Sequence, residues 1–67
     1  MITVGKSYLA KNGTFFTCVF ADNNYAWMKS SNLGTAYVWT ISGKSLSLDE
    51  DYDVNPAYQV TMVQSDD

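Results

Sequence analysis

The chain has 67 residues, with one cysteine, no histidine and no arginine, which makes it a single small domain near the lower size limit for an unaided core. The lone Cys18 excludes an intrachain disulfide, and the missing histidine excludes zinc sites built from Cys and His. Seven acidic residues against four lysines give a net charge of −3, a poor basis for direct nucleic-acid binding, which draws on clustered Lys and Arg.

Read from the N-terminus, Met1-Ile2-Thr3-Val4 leads straight to Gly5-Lys6, without the charged and then apolar stretches of a leader peptide. The run "SYLA" (7 to 10) reads as a short strand, and Asn12-Gly13 after it is the strongest short turn signal in the chain. In "TFFTCVFA" (14 to 21) the period of two sets Phe16, Cys18 and Phe20 on one face and Phe15, Thr17, Val19 and Ala21 on the other. Neither face is polar, as expected of a strand that is covered on both sides or strongly curved. Cys18 in this run is expected to be an inert buried thiol, suited to a reducing cytoplasm.

"DNN" (22 to 24) supplies residues that tolerate positive φ, so 14–21 and 25–30 are predicted to form a tight hairpin. "YAWMK" (25 to 29) alternates Tyr25, Trp27 and Lys29 against Ala26 and Met28. After a loop, "SSNLG" (30 to 34), a third run "TAYVWTI" (35 to 41) sets Tyr37, Trp39 and Ile41 against Ala36, Val38 and Thr40. A glycine turn, "SGK" (42 to 44), follows, and "LDEDYDV" (48 to 54) is the one stretch suited to a helical turn. The last predicted strand is "AYQVTMV" (57 to 63), with Pro56 ahead of it where a missing N–H costs least. Residues 64–67 are expected to fray.

No segment of ten or more residues carries a 3.6-residue apolar stripe, and no apolar run approaches the roughly 20 residues that span a bilayer. Five short strands with turns between them predict an all-β fold, a small five-stranded and mostly antiparallel barrel or roll occupying residues 1–67 as one domain. The expectation is a soluble, cytoplasmic protein with no membrane partner.

With these turns placed, the order Gly5-Lys6-Ser7-Tyr8, Asn12-Gly13, "FFTCVF", Trp39-Thr40 with Gly43, and Asp53-Val54 resembles small phage-encoded accessory domains with an SH3-like barrel. The resemblance covers about residues 5 to 54. It implies an SH3-like barrel and, in a phage setting, a location in the host cytoplasm. It brings no catalytic residues. The chain departs from that pattern in having Lys11 and then no basic residue until Lys29, where such domains often carry Arg beside the first turn.

Two constellations are candidate sites. Asp49, Glu50, Asp51 and Asp53 offer oxygen ligands, but the spacing lacks the Asp-x-Asp-x-Asp-Gly pattern of a calcium loop, so no metal is expected. A second use is as a patch imitating a phosphate backbone in the groove of a nucleic-acid enzyme. The plain alternative is a solvated loop that keeps the barrel soluble. Tyr25, Trp27, Tyr37 and Trp39 fall on matching faces of two candidate neighbouring strands and would line one face of the sheet if those strands pair. Either that face is the core, or Ala26, Met28 and Val38 point inward and the rings lie outside. Trp39 is assigned to the core, and Tyr25 and Trp27 to a contact surface, because Tyr and Trp dominate interface energetics.

No histidine base, nucleophile–base pair or phosphate-cradling glycine loop is present. The expectation is a non-catalytic binding protein without cofactor, which binds and modulates a host protein through Tyr25, Trp27, Asp49, Glu50, Asp51 and Asp53. The alternative is an assembly protein that forms homo-oligomers or decorates a phage particle through the uncharged strand "AYQVTMV".

Overall fold

A computed structural model describes residues 1–30 and 34–60. The parts of the predicted loop and last strand at 31–33 and 61–63, and the tail 64–67, lie outside the described residues. The fold is all-β. Strands β1 (Ser7–Ala10), β2 (Phe15–Ala21), β3 (Tyr25–Lys29), β4 (Tyr37–Thr40) and β5 (Val54–Val60) form one antiparallel sheet in the order β4-β3-β2-β1-β5. A short 3₁₀ turn, Glu50–Tyr52, precedes β5, where the sequence suggested a helical turn. The sheet curls into a half-barrel around Ile2, Tyr8, Ala10, Phe16, Cys18, Ala26, Met28, Trp39 and Val54.

Two of the turns share one hydrogen-bond pattern. At Ala10–Thr14, Gly13 N–H donates to the Ala10 carbonyl (2.9 Å) and Ala10 N–H to that of Thr14 (2.8 Å). At Thr40–Lys44, Gly43 N–H donates to Thr40 (2.8 Å) and Thr40 N–H to Lys44 (2.8 Å). Gly13 and Gly43 have φ of +92° and +103°, a conformation that a side chain disfavours and that a three-residue hairpin loop requires at this place.

The β2–β3 hairpin forms as predicted but by a different device. Among the described residues no non-glycine has positive φ. Asp22 makes the turn instead, its Oδ1 accepting the N–H groups of Asn24 (2.8 Å) and Tyr25 (2.7 Å), an Asx-type turn. These bonds, that from Asn24 first, hold the Asp22 carboxyl below its ordinary value. A depressed folded-state value contributes stability that is complete above the usual carboxylate range and is lost as the pH falls from there through the lowered folded-state value. The neutral Asp22→Asn variant keeps an acceptor oxygen at every pH. Its melting temperature is expected to fall less steeply on acidification than that of the wild-type chain, by thermal unfolding monitored between about pH 6 and pH 2. Parallel profiles would remove Asp22 from the acid response.

A bulge in β2 decides which side chains reach the core. Counting outward from the turn, Ala21 faces Ala26 and Phe20 faces Trp27, but Cys18 then faces Met28 and Thr17 faces Lys29. Val19 and Phe20 thus stand together opposite Trp27, and the extra residue lets Cys18 and Phe16 turn inward beside Met28. Phe20, which simple alternation groups with Phe16 and Cys18, is therefore displaced to the outer face. Cys18 is buried, and that burial pushes its thiol up from the ordinary value.

The β3–β4 register corrects the predicted ring face. Ala26 lies opposite Trp39, Trp27 opposite Val38 and Met28 opposite Tyr37. Because directly opposed residues share a face, Trp39 and Tyr37 go inward with Ala26 and Met28, while Tyr25 and Trp27 go outward with Val38 and Thr40. The four rings do not line one face, and Val38 is not an inward residue.

The half-barrel is stitched together by the chain between β4 and β5. Ser45 bridges Trp39, Leu46 N–H donates to the Val38 carbonyl (3.0 Å), and Val54 N–H donates to that of Gly43 (2.8 Å). The edge of β4 is thereby covered. The last strand begins at Val54 rather than after Pro56. Its pairing with β1 is irregular, since Tyr8 faces Gln59 and Ala10 faces Val54, which leaves Asn55 to Tyr58 opposite Leu9 alone. Pro56 falls in that irregular stretch, where no ladder bond is needed from it.

Candidate functional site: the outer face and the acidic turn

Two regions hold the residues singled out from the sequence. The first is the outer face of β1 to β4. Leu9 and Phe15 form a cross-strand pair there. Farther along the face, Val19, Phe20, Tyr25 and Trp27 make a cluster around the bulge. The Phe20 and Trp27 ring centroids are 5.2 Å apart and tilted by 56°, and Tyr25 meets Trp27 edge-on at 6.3 Å. Five of these six side chains stand between 42% and 56% exposed, and Trp27 is half-buried.

This arrangement follows from the sequence locally. The Asp22 turn sets β3 opposite β2, the bulge brings Val19 and Phe20 to the same side as Trp27, and the opposed small residue Ala26 lets Trp39 fill the interior. The core therefore has its large rings from Tyr8, Phe16 and Trp39, and those of Phe20, Tyr25 and Trp27 remain outside it. Among the outward residues of β1 to β4, Lys29 is the one charged side chain. Thr17 and Ser7 lie between the two apolar groups, their hydroxyls hydrogen-bonded at 2.7 Å.

The second region is the acidic turn. Asp49, Glu50 and Asp51 are exposed. Their backbone is tied down, because Asn12 N–H donates to the Asp51 carbonyl (3.0 Å) and Lys11 N–H to that of Asp53 (3.1 Å). Beneath the turn, Tyr52 packs edge-on against Phe16 at 6.0 Å, and its carbonyl receives the Trp39 indole N–H at 2.8 Å. Asp53 differs from the other three acids. It is half-buried, and its Oδ1 accepts Ser45 N–H at 2.7 Å, one of the bonds that close the half-barrel.

The structure thus brings Tyr25 and Trp27 together, and Asp49, Glu50 and Asp51 together, in two separate places. Among the described residues no hydrogen bond or ring contact links the aromatic cluster to the acidic turn. No three His, Cys, Asp or Glu side chains converge as metal ligands among the described residues, and no pocket opens there. Leu9, Phe15, Val19 and Phe20 are residues of this face that sequence reasoning did not single out, and Phe20 is the one it grouped with the core residues Phe16 and Cys18. The signal was available in the register counted back from the Asp22 turn, which already places Phe20 opposite Trp27 before the bulge intervenes.

No family model matches the chain, and neither the curated proteins nor the solved structures compared with it include a match.

Proposed function

We propose that the chain is a non-catalytic protein-binding module whose contact surface is the outer face centred on Phe20, Tyr25 and Trp27. One observation carries this reading: six large apolar side chains share a nearly uncharged sheet face, five of them more than two-fifths exposed. A scattered exposed hydrophobe is ordinary, whereas a clustered group such as Val19, Phe20, Tyr25 and Trp27, with a second apolar pair on the same face beyond Thr17, marks an interaction site. Trp and Tyr at its centre supply large contact area with few rotatable bonds. In the setting that the phage resemblance suggests, the partner is a host protein whose activity the contact changes. The acidic turn Asp49–Asp51 then serves as a second, charged contact or as solvated surface.

Capture with immobilised protein tests this. Phe20→Ala combined with Trp27→Ala is expected to lower retention of the partner at least about ten-fold, as for loss of interface anchors, with an unchanged circular-dichroism spectrum. Asp51→Lys is expected to change it much less, as a rim charge does. Equal retention by the aromatic variant would overturn the assignment. Loss only when Asp49, Glu50 and Asp51 are neutralised would move the site to the acidic turn and favour a nucleic-acid enzyme as partner.

A second reading is assembly through a strand edge. It is favoured by the asymmetry of the sheet, where β4 is covered by Lys44–Ser47 while β5 pairs with β1 alone among the described strands, is bonded to Gly43 only at Val54 among the described residues, and carries no charge from Val54 to Val60. Pro56 and the irregular pairing at Asn55–Tyr58 weigh against it, since both blunt an edge.

A further inference from the structure

We infer that, in the free protein, the outer face is covered by a second copy of this chain, in a two-fold contact centred on Phe20 and Trp27. The inference rests on the reading of that face as the contact surface and names its first occupant. The exposed parts of Leu9, Phe15, Val19, Phe20 and Tyr25, at 42% to 56% of each residue, leave on the order of 500 Å² of mostly apolar surface on one face, in two groups with Thr17 between them, comparable with the largest patch of a monomer. Two such faces, with the Thr17 and Thr40 surroundings, bury on the order of 1,200 Å² in total, the lower end of the range for a specific interface.

Charge favours this occupant. The protein is acidic overall, yet the outward residues of β1 to β4 include Lys29 and no acid, and the carboxylate beside them, Asp22 in the β2–β3 turn, has its Oδ1 engaged by the N–H groups of Asn24 and Tyr25. Two copies meeting through this face bring apolar rows together with Asp22 at the rim, whereas contact through the acidic turn would set several carboxylates against each other. A strongly charged partner finds one complementary group on the face at most. A two-fold contact also asks nothing beyond self-complementarity, because each copy presents the same apolar row to the other. Association of this kind supplies what so small a core lacks, since no disulfide is available and self-association is one of the few remaining supports for such a domain. The same contact makes the face self-guarding, as any other partner must displace the second copy.

Light scattering after size separation, over about 1 µM to 1 mM protein, is the test, the span in which an interface of this size associates. The wild-type chain is expected to pass from monomer to dimer. Phe20→Asp and Phe20→Lys, both at an exposed position, are each expected to weaken the dimer at least ten-fold. Mixed together, the two are expected to associate again. Tyr25→Asp provides an independent disruption should either Phe20 variant fail to keep the wild-type circular-dichroism spectrum. A wild-type chain that stays monomeric throughout overturns the inference, and so does a dimer that folded Phe20→Asp and Tyr25→Asp leave intact. If a monomeric wild-type chain still loses its captured partner on Phe20→Ala and Trp27→Ala, the contact face stands and only its self-occupancy is refuted.

Discussion

Gly43→Ala is expected to be the most damaging single methyl that can be added to this protein. At Gly43 a Cβ would overlap the carbonyl oxygen of Val54 and press on the ring of Pro56, and φ of +103° already disfavours any side chain. Neither obstacle can swing aside, since one is backbone and the other a ring fixed to it. Gly43 also gives its own carbonyl to Val54 N–H, so relief of the overlap requires parting the turn from β5. Strain at positive φ and overpacking each cost about 1–3 kcal/mol, and together they approach the roughly 3–5 kcal/mol that a single core of this size supplies. Gly13→Ala is the internal comparison. Its φ is nearly the same, +92°, but nothing lies within 4 Å of an added Cβ. Urea unfolding is expected to show a modest loss for Gly13→Ala and a chain largely unfolded without denaturant for Gly43→Ala. Similar midpoints for the two would mean that the approach of Gly43 to Val54 does not hold the half-barrel closed.

Trp39 comes next in expected effect. It is fully buried, its ring packs on Phe16 at 4.7 Å between centroids, and its indole N–H is the donor to the Tyr52 carbonyl. The side chain therefore fills the core and fastens the acidic turn over it. Trp39→Ala removes both and is expected to cost about 3–5 kcal/mol, enough to unfold the domain. Trp39→Phe separates the two roles. It keeps most of the apolar volume but leaves the Tyr52 carbonyl without its donor, for an expected loss of about 1–3 kcal/mol. Hydrogen exchange at Asp51, Tyr52 and Asp53 in Trp39→Phe should then accelerate more than exchange in β2 and β3. A uniform acceleration would show that the indole bond does not anchor the turn.

Much of this architecture was legible because the period of two and the glycine turns are local signals. "SYLA" follows directly from them, as do the hairpins at Asn12-Gly13 and at Asp22, whereas alternation left either ring face of β3 and β4 as the core and the assignment of Trp39 to it was a choice between the two. What alternation cannot encode is a change of register. One extra residue at Val19–Phe20 reverses the facing of the rest of β2, and a one-residue difference between expected and actual β3–β4 pairing separates Trp39 from Trp27. Both shifts are set by tertiary demand, since Met28, Cys18, Phe16 and Trp39 must share one interior. The place of Asp53 was hidden for another reason. In the sequence it looks like the fourth member of an acidic run, and only the return of the chain past Ser45 turns it into a structural acceptor. Ile2 was hidden likewise, because its burial depends on the N-terminal segment lying against Ile41, whose carbonyl takes its N–H.

The position of β1 has a consequence for how the chain is made. It is the second strand from one edge of the sheet, flanked by β2, which follows it at once, and by β5, whose pairing with it joins Ser7 to Val60. Strands β1 to β4 form a meander of neighbours, so each can find its partner as soon as it leaves the ribosome. The other side of β1 has no partner until β5 has been synthesised, and closing so long a loop must precede any reward from the contacts it makes. During that interval Tyr8 waits for Gln59, and the bare edge of β1 is a place where a growing chain can take up a strand that is not its own.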